Sequence, residues 1–146
     1  MSAPLHTPGE IEITILIPCK NEREKAVGTV DTALAALAES DRMYEILVVD
    51  DSSKDDTSGI VEENRLQHPD ACIVLRRNPR NIGLSRTFID GAYAARGKYY
   101  RLLAGDFCFY RTYTLRNYLK AAQSLGLRWK ASLTQFSAPD FQARLP

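Results

Sequence analysis

Four short apolar runs, separated by stretches long enough for a helix, constrain this chain more than any other feature. They fall at residues 11–17, 45–49, 71–75 and 99–103, and each is rich in β-branched or aromatic side chains. Runs of that length and character read as buried strands. Between the first two, from Glu24 onward, Val27, Val30, Leu34 and Leu37 recur at three- and four-residue spacing, until Asp41 and Arg42 break the pattern. That spacing puts them on one helical face. Thr57–Gln67 reads as a second helix closed by Pro69, and residues 84–96 as a third. Gly97 stands at the stop of that third helix, where a left-handed residue is wanted. Residues 78–83, Asn-Pro-Arg-Asn-Ile-Gly, are turn chemistry throughout. Strands alternating with helices predict βαβ units: an α/β chain with a Rossmann-like, largely parallel sheet and flanking helices.

In such a sheet ligands bind outside the carboxyl ends of the strands, where the strand order reverses. Three strand ends here carry suggestive residues: Pro18 to Glu22, Asp50 to Asp56, and Asp106. Two adjacent acids ending an apolar strand, Asp50 and Asp51, are costly unless something pairs with them. A carboxylate so placed can accept from a base N–H or ribose hydroxyls, or help hold a cation. Asp55 and Asp56 suit a humbler role, capping with Thr57 the helix that follows.

The segment Ile15-Leu16-Ile17-Pro18-Cys19-Lys20-Asn21-Glu22, followed by Val48-Val49-Asp50-Asp51-Ser52-Ser53-Lys54-Asp55-Asp56-Thr57, resembles the opening of the family 2 glycosyltransferases. Asn81-Ile82-Gly83, Gly91 and Gly97 fit the same family's third-helix pattern. The resemblance covers roughly residues 11–106. It implies a GT-A fold, a nucleotide-sugar donor linked to UDP or GDP, and Mn²⁺ or Mg²⁺ as cofactor. By position, Pro18, Asn21 and Glu22 match the first nucleotide-contacting loop. Asp51 matches the acid that bonds the nucleobase, with Asp50 and Ser53 beside it. Asp106 matches the last acid of the DxD motif and is the expected metal ligand. A hard dication there would offset the diphosphate's charge and assist its departure as a Lewis acid. The chain departs from the pattern where Ala104 replaces the first DxD acid, Phe107 a further acid, and Ile89 the usual Asn of the third helix. Arg86 lies two positions before the basic residue often found there and reads as an exposed helix arginine.

After Asp106 the composition changes. Residues 1–106 carry a net charge of −4, whereas 107–146 hold Asp140 as their one acid and a net charge of +5. Eight of the 13 aromatic residues also fall in that tail. The expected organisation is an N-terminal arm at 1–10, a nucleotide-sugar-binding domain at 11–106, and a divergent basic, aromatic-rich tail at 107–146. In the tail Leu115, Tyr118, Leu119, Ala122 and Leu125 predict one helical face. Three readings fit the tail: a helix covering the sheet, a basic surface helix resting on anionic lipid, or the product of a truncated or frameshifted gene. No matching base for an acceptor hydroxyl is found in it, and Asp140 is not assigned that role.

The net charge of +1 excludes a dedicated nucleic-acid binder. No run approaches the ~18 apolar residues of a membrane span, and residues 1–9 lack the features of a signal peptide. The expected compartment is the cytoplasm, with peripheral contact at the inner membrane face through the tail. Cys19, Cys72 and Cys108 show neither zinc nor disulfide spacing and read as reduced thiols. A receiver domain is excluded because its acidic pair should follow the first strand; a dinucleotide site is excluded because no GxGxxG follows that strand. The leading expectation is a glycosyltransferase whose donor-binding part is this chain, acting on a lipid-linked or saccharide acceptor. The rival is a module that holds a nucleotide or sugar nucleotide without turnover.

Overall fold

The computed structural model describes residues 11–38 and 42–103. The N-terminal arm, Asp106, and the tail with its expected helix lie outside the described residues. Seven elements follow in order: β1 (Ile13–Cys19), α1 (Ala26–Ala38), β2 (Tyr44–Asp50), α2 (Thr57–Gln67), β3 (Ile73–Arg77), α3 (Leu84–Ala94) and β4 (Tyr99–Leu102). The strands pair in parallel in the order β3-β2-β1-β4. The expected α/β alternation and parallel sheet are what form.

Period-two alternation along the strands splits the core between the two faces. Ile13, Ile15, Ile17, Ile46 and Val48 meet α1 and α2 through Ala26, Val30, Ala33, Leu37 and Val61. Leu16, Leu47, Val49 and Tyr100 meet α3 through Phe88, Ala92 and neighbouring Ala95. The α1 face differs from expectation. Its buried positions centre on Ala26, Val30, Ala33 and Leu37, while Val27 and Leu34 are half-buried. Small residues at the contact let the helix lie close, and the larger ones flank it.

Two strands begin and end about two residues later than the apolar runs suggest. The first apolar run ends at Ile17, yet β1 continues through Pro18 to Cys19. Pairing of β1 with β4 ends at Leu16, so the N–H missing from Pro18 interrupts no ladder on that side. Gly97 also needs a correction. The third helix ends at Ala94, Ala95 is extended, and the one glycine with positive φ among the described residues is Gly83, at +85°. Gly97 is required for another reason: a Cβ there would lie 2.4 Å from the Thr14 nitrogen, because the chain entering β4 runs directly against β1.

That close approach belongs to a polar knot at the amino end of the sheet. Glu45, 2% exposed, accepts from the Thr14 hydroxyl at 3.1 Å and from Arg96 Nε at 2.5 Å. Thr14 in turn accepts from the Gly97 N–H at 2.9 Å, and the Arg96 guanidinium donates to Cys72 Sγ at 3.2 Å. The buried carboxylate thus has a full charge partner.

Candidate functional site at the carboxyl edge of the sheet

The opposite end of β2 is built differently. Asp50 is fully buried, and its donors are neutral. Oδ1 accepts from the N–H of Ser53 at 2.9 Å and from the Ser53 hydroxyl, while Oδ2 accepts from the Ser58 hydroxyl. Its nearest cation is Arg77, whose Nε stands 4.0 Å away and whose Nη2 is occupied at 2.8 Å by the Ser53 carbonyl. Asp50 therefore shapes the turn that starts the loop; Ser52 at its apex has φ +61°.

This loop is riveted to the one leaving β1. The Asn21 N–H donates to Ser53 Oγ at 2.8 Å, and Asn21 Oδ1 accepts from the Lys54 N–H at 2.7 Å. The Glu22 N–H donates to Thr57 Oγ1 at 3.0 Å, and the Lys20 ammonium reaches the Asp51 carbonyl at 3.4 Å. Asn21 has φ +50°, a left-handed geometry that Asn tolerates better than most residues. Beneath the junction lies Cys19, where burial and the nearby Glu22 and Asp50 carboxylates push the thiol up to about 12. That thiol is inert at neutral pH.

Asp51, 5% exposed, faces the third loop of this edge. Oδ1 accepts from Asn78 Nδ2 and the Ile82 N–H, both at 2.9 Å, and Oδ2 accepts from the Gly83 N–H at 2.8 Å. The carboxylate latches the β3–α3 connection just where α3 begins. Burial alone would raise its pKa; the donors Ile82, Asn78 and Gly83, with the Lys20 charge, outweigh that and hold it below the ordinary carboxylate value.

Of the expected site residues, Pro18, Asn21, Glu22, Asp50, Asp51 and Ser53 come together on two adjacent strand ends, and Asp106 lies outside the described residues. The capping role falls to Asp55, which accepts from the Thr57 N–H at 3.0 Å and from its hydroxyl. Asp56 occupies the N-cap position but makes no side-chain capping bond. Arg86 is exposed, as expected, and pairs with Asp90 at 2.8 Å. Sequence reasoning missed Ser58, Arg77 and Asn78. Their partners lie up to 27 residues away or are reached through backbone groups, which leave no mark in the sequence. Among the described residues no three His, Cys, Asp or Glu side chains gather so as to hold a metal. Both oxygens of Asp50 and of Asp51 already accept from N–H or O–H donors, so these two do not fit a cation site by themselves.

Comparison with known proteins places this arrangement. The sequence pattern of glycosyl transferase family 2 matches residues 14–127, beyond the end of β4 and into the basic segment. A dolichyl-phosphate beta-glucosyltransferase (ALG5C) of Trichomonas vaginalis is 30% identical over 105 residues, covering 68% of this chain and 31% of that protein. A dolichyl-phosphate beta-glucosyltransferase of Dictyostelium discoideum is 29% identical over 101 residues, covering 66% and 31%. This chain thus spans about a third of the length of these relatives. Among solved structures, S. aureus TarS 1-349 superposes with a TM-score of 0.60 at 21% identity, over 78% of this chain and 33% of that one. A Pyrobaculum calidifontis mannosyltransferase in complex with GDP-Man and Mn²⁺ gives 0.55 at 22% identity, over 73% and 30%. These likenesses establish the fold, a Rossmann-like GT-A arrangement. The strand-end motifs, the parallel sheet and a family match over most of its length agree: the chain belongs to glycosyl transferase family 2.

Proposed function

We propose that this chain forms the donor-binding part of a glycosyltransferase, holding a nucleoside diphosphate sugar at the carboxyl edge of β1 and β2. The observation that carries this reading is the riveting of the 19–22 and 50–57 loops into one platform, with Asp51 beside it. A carboxylate oxygen has two lone-pair positions, and Asp51 Oδ2 accepts from Gly83 alone. Its second position is suited to a base N–H. The GDP-Man complex of the mannosyltransferase above, and the UDP-GlcNAc complex of TarS, support a sugar nucleotide as ligand. The dolichyl-phosphate relatives support a lipid-linked acceptor, which the remaining two thirds of their length would serve.

A dication, when bound, would offset the diphosphate's charge. We assign its protein ligand to Asp106, since the described carboxylates do not fit one. With Ala104 in place of a partner acid, Mn²⁺ should bind well only alongside a nucleotide that supplies further oxygens.

Titration calorimetry of the 146-residue chain with UDP and GDP, with and without Mn²⁺, tests the assignment. One nucleotide should bind, more tightly with Mn²⁺. Asp51→Asn should weaken it about tenfold, as loss of a hydrogen bond to a charged group does. Asp106→Asn should remove the Mn²⁺ effect alone. Failure of both nucleotides to bind the folded protein would sink the reading.

A further inference from the structure

Residues 76–86, the end of β3, its connection to α3 and the first turn of α3, contain Arg76, Arg77, Arg80 and Arg86 and no acid. All four arginines are exposed. Arg77 is tied to the Ser53 carbonyl and Arg86 to Asp90. The side chains of Arg76 and Arg80 make no hydrogen bond or ion pair with any described residue. Among the described residues, therefore, no acid offsets their charges. Apolar groups lie among them: Pro79 is exposed and Leu84 is 57% exposed, one of the large hydrophobic side chains left in water.

The placement is one-sided. Val74 packs with the α3 cluster, and Arg76, two residues on along the strand, shares that face. Exposed acids of the same sheet edge, Glu24, Asp55 and Asp56, lie instead in the connections to α1 and α2, which pack on the opposite face through Val30 and Val61. The backbone is held from within: the Asn78 N–H donates to the Asp50 carbonyl at 2.8 Å, and Asp51 holds Ile82 and Gly83. Such a surface is pre-ordered, so contact with it costs little further chain entropy.

We propose that residues 76–86 form an electrostatic contact surface for an anionic lipid bilayer, with Arg76 and Arg80 facing the headgroups and Leu84 at their boundary. Basic side chains near an anionic leaflet gain from its surface potential, and an exposed leucine beside them adds apolar contact. The same surface would turn the carboxyl edge of the sheet toward the membrane. Donor binding is not needed for this contact, so the two readings stand or fall separately.

Co-sedimentation of the full chain with large vesicles is the test, using phosphatidylcholine alone and phosphatidylcholine with one-third phosphatidylglycerol. Binding should be confined to the anionic vesicles and fall with salt. Arg76→Gln with Arg80→Gln should lower the partition coefficient roughly thirty-fold, at about fivefold per arginine. The control is Arg42→Gln with Lys98→Gln, an equal loss of charge at the amino end of the sheet, which should lower it far less. Circular dichroism checks that each variant is folded. Absence of binding, equal binding to neutral vesicles, or equal losses in the two double variants would overturn the proposal. So would undiminished binding of the Arg76/Arg80 variant, which would move the contact elsewhere.

Discussion

The strand β2 buries acids at both ends, and the two ends solve the same electrostatic problem in different ways. At the amino end Glu45 meets a guanidinium at 2.5 Å, and a hydroxyl and a backbone N–H complete its shell. At the carboxyl end Asp50 and Asp51 rely on backbone N–H groups, hydroxyls and an amide, with cations only at the margin. A buried charge with an opposite charge beside it is electrostatically closed. Two adjacent carboxylates held mainly by neutral dipoles keep more of their negative field. The first arrangement fixes the fold; the second is the one the proposed donor site would draw on.

The largest effect should come from opening the closed end. Arg96→Ala would leave Glu45 as an unpartnered buried charge and should lower the unfolding free energy by about 3 kcal/mol. That is the low side of the usual range, because the Arg96 side chain is 39% exposed. Pairing it with Glu45→Gln should restore part of the loss, since no buried charge then remains. Urea denaturation reads both. A loss under about 1 kcal/mol for Arg96→Ala would erase the contrast between the two ends.

A smaller effect, about 1–2 kcal/mol, is expected for Asp51→Asn, which weakens the latch without emptying it. Its pH dependence sharpens the comparison. The folded carboxyl titrates below its ordinary value of 3.8, so its contribution is whole above that value and is lost as pH falls through the folded one. The stability gap between the parent protein and Asp51→Asn should accordingly be constant at neutral pH and close in acid. A gap that widens on acidification would contradict the assignment.

The smallest effect separates Asp55 from Asp56. Asp55→Ala removes the side chain that accepts from Thr57 and the Arg23 N–H, and should lower the melting temperature. Asp56→Ala removes no capping bond and should leave it unchanged. Equal shifts would mean the helix start is held otherwise.

How much of this was legible in the sequence depends on the range of the interaction concerned. α2 was readable to the residue, because Thr57, Pro69 and the residues between them act locally. The parallel sheet followed from the alternation of runs, and the pairing of the 18–22 and 50–56 loops from their both ending strands. The role of Gly97 was not readable. A helix stop and a backbone crossing both call for glycine, and the approach to Thr14 spans 83 residues. The latch on Asp51 was hidden for a related reason: two of its three donors are main-chain N–H groups, which every residue but proline possesses. Asn78, the third, looked like any other turn residue.

Those two main-chain donors also make the site observable. An amide proton bonded to a carboxylate is deshielded and slow to exchange, and Ile82 and Gly83 are successive residues held by the same side chain. Their two resonances, followed by nuclear magnetic resonance, form a resident reporter of Asp51. A group that draws the carboxylate toward itself should register at both amides at once. The chain thus carries, in its backbone, a gauge of the state of a nearly buried carboxylate.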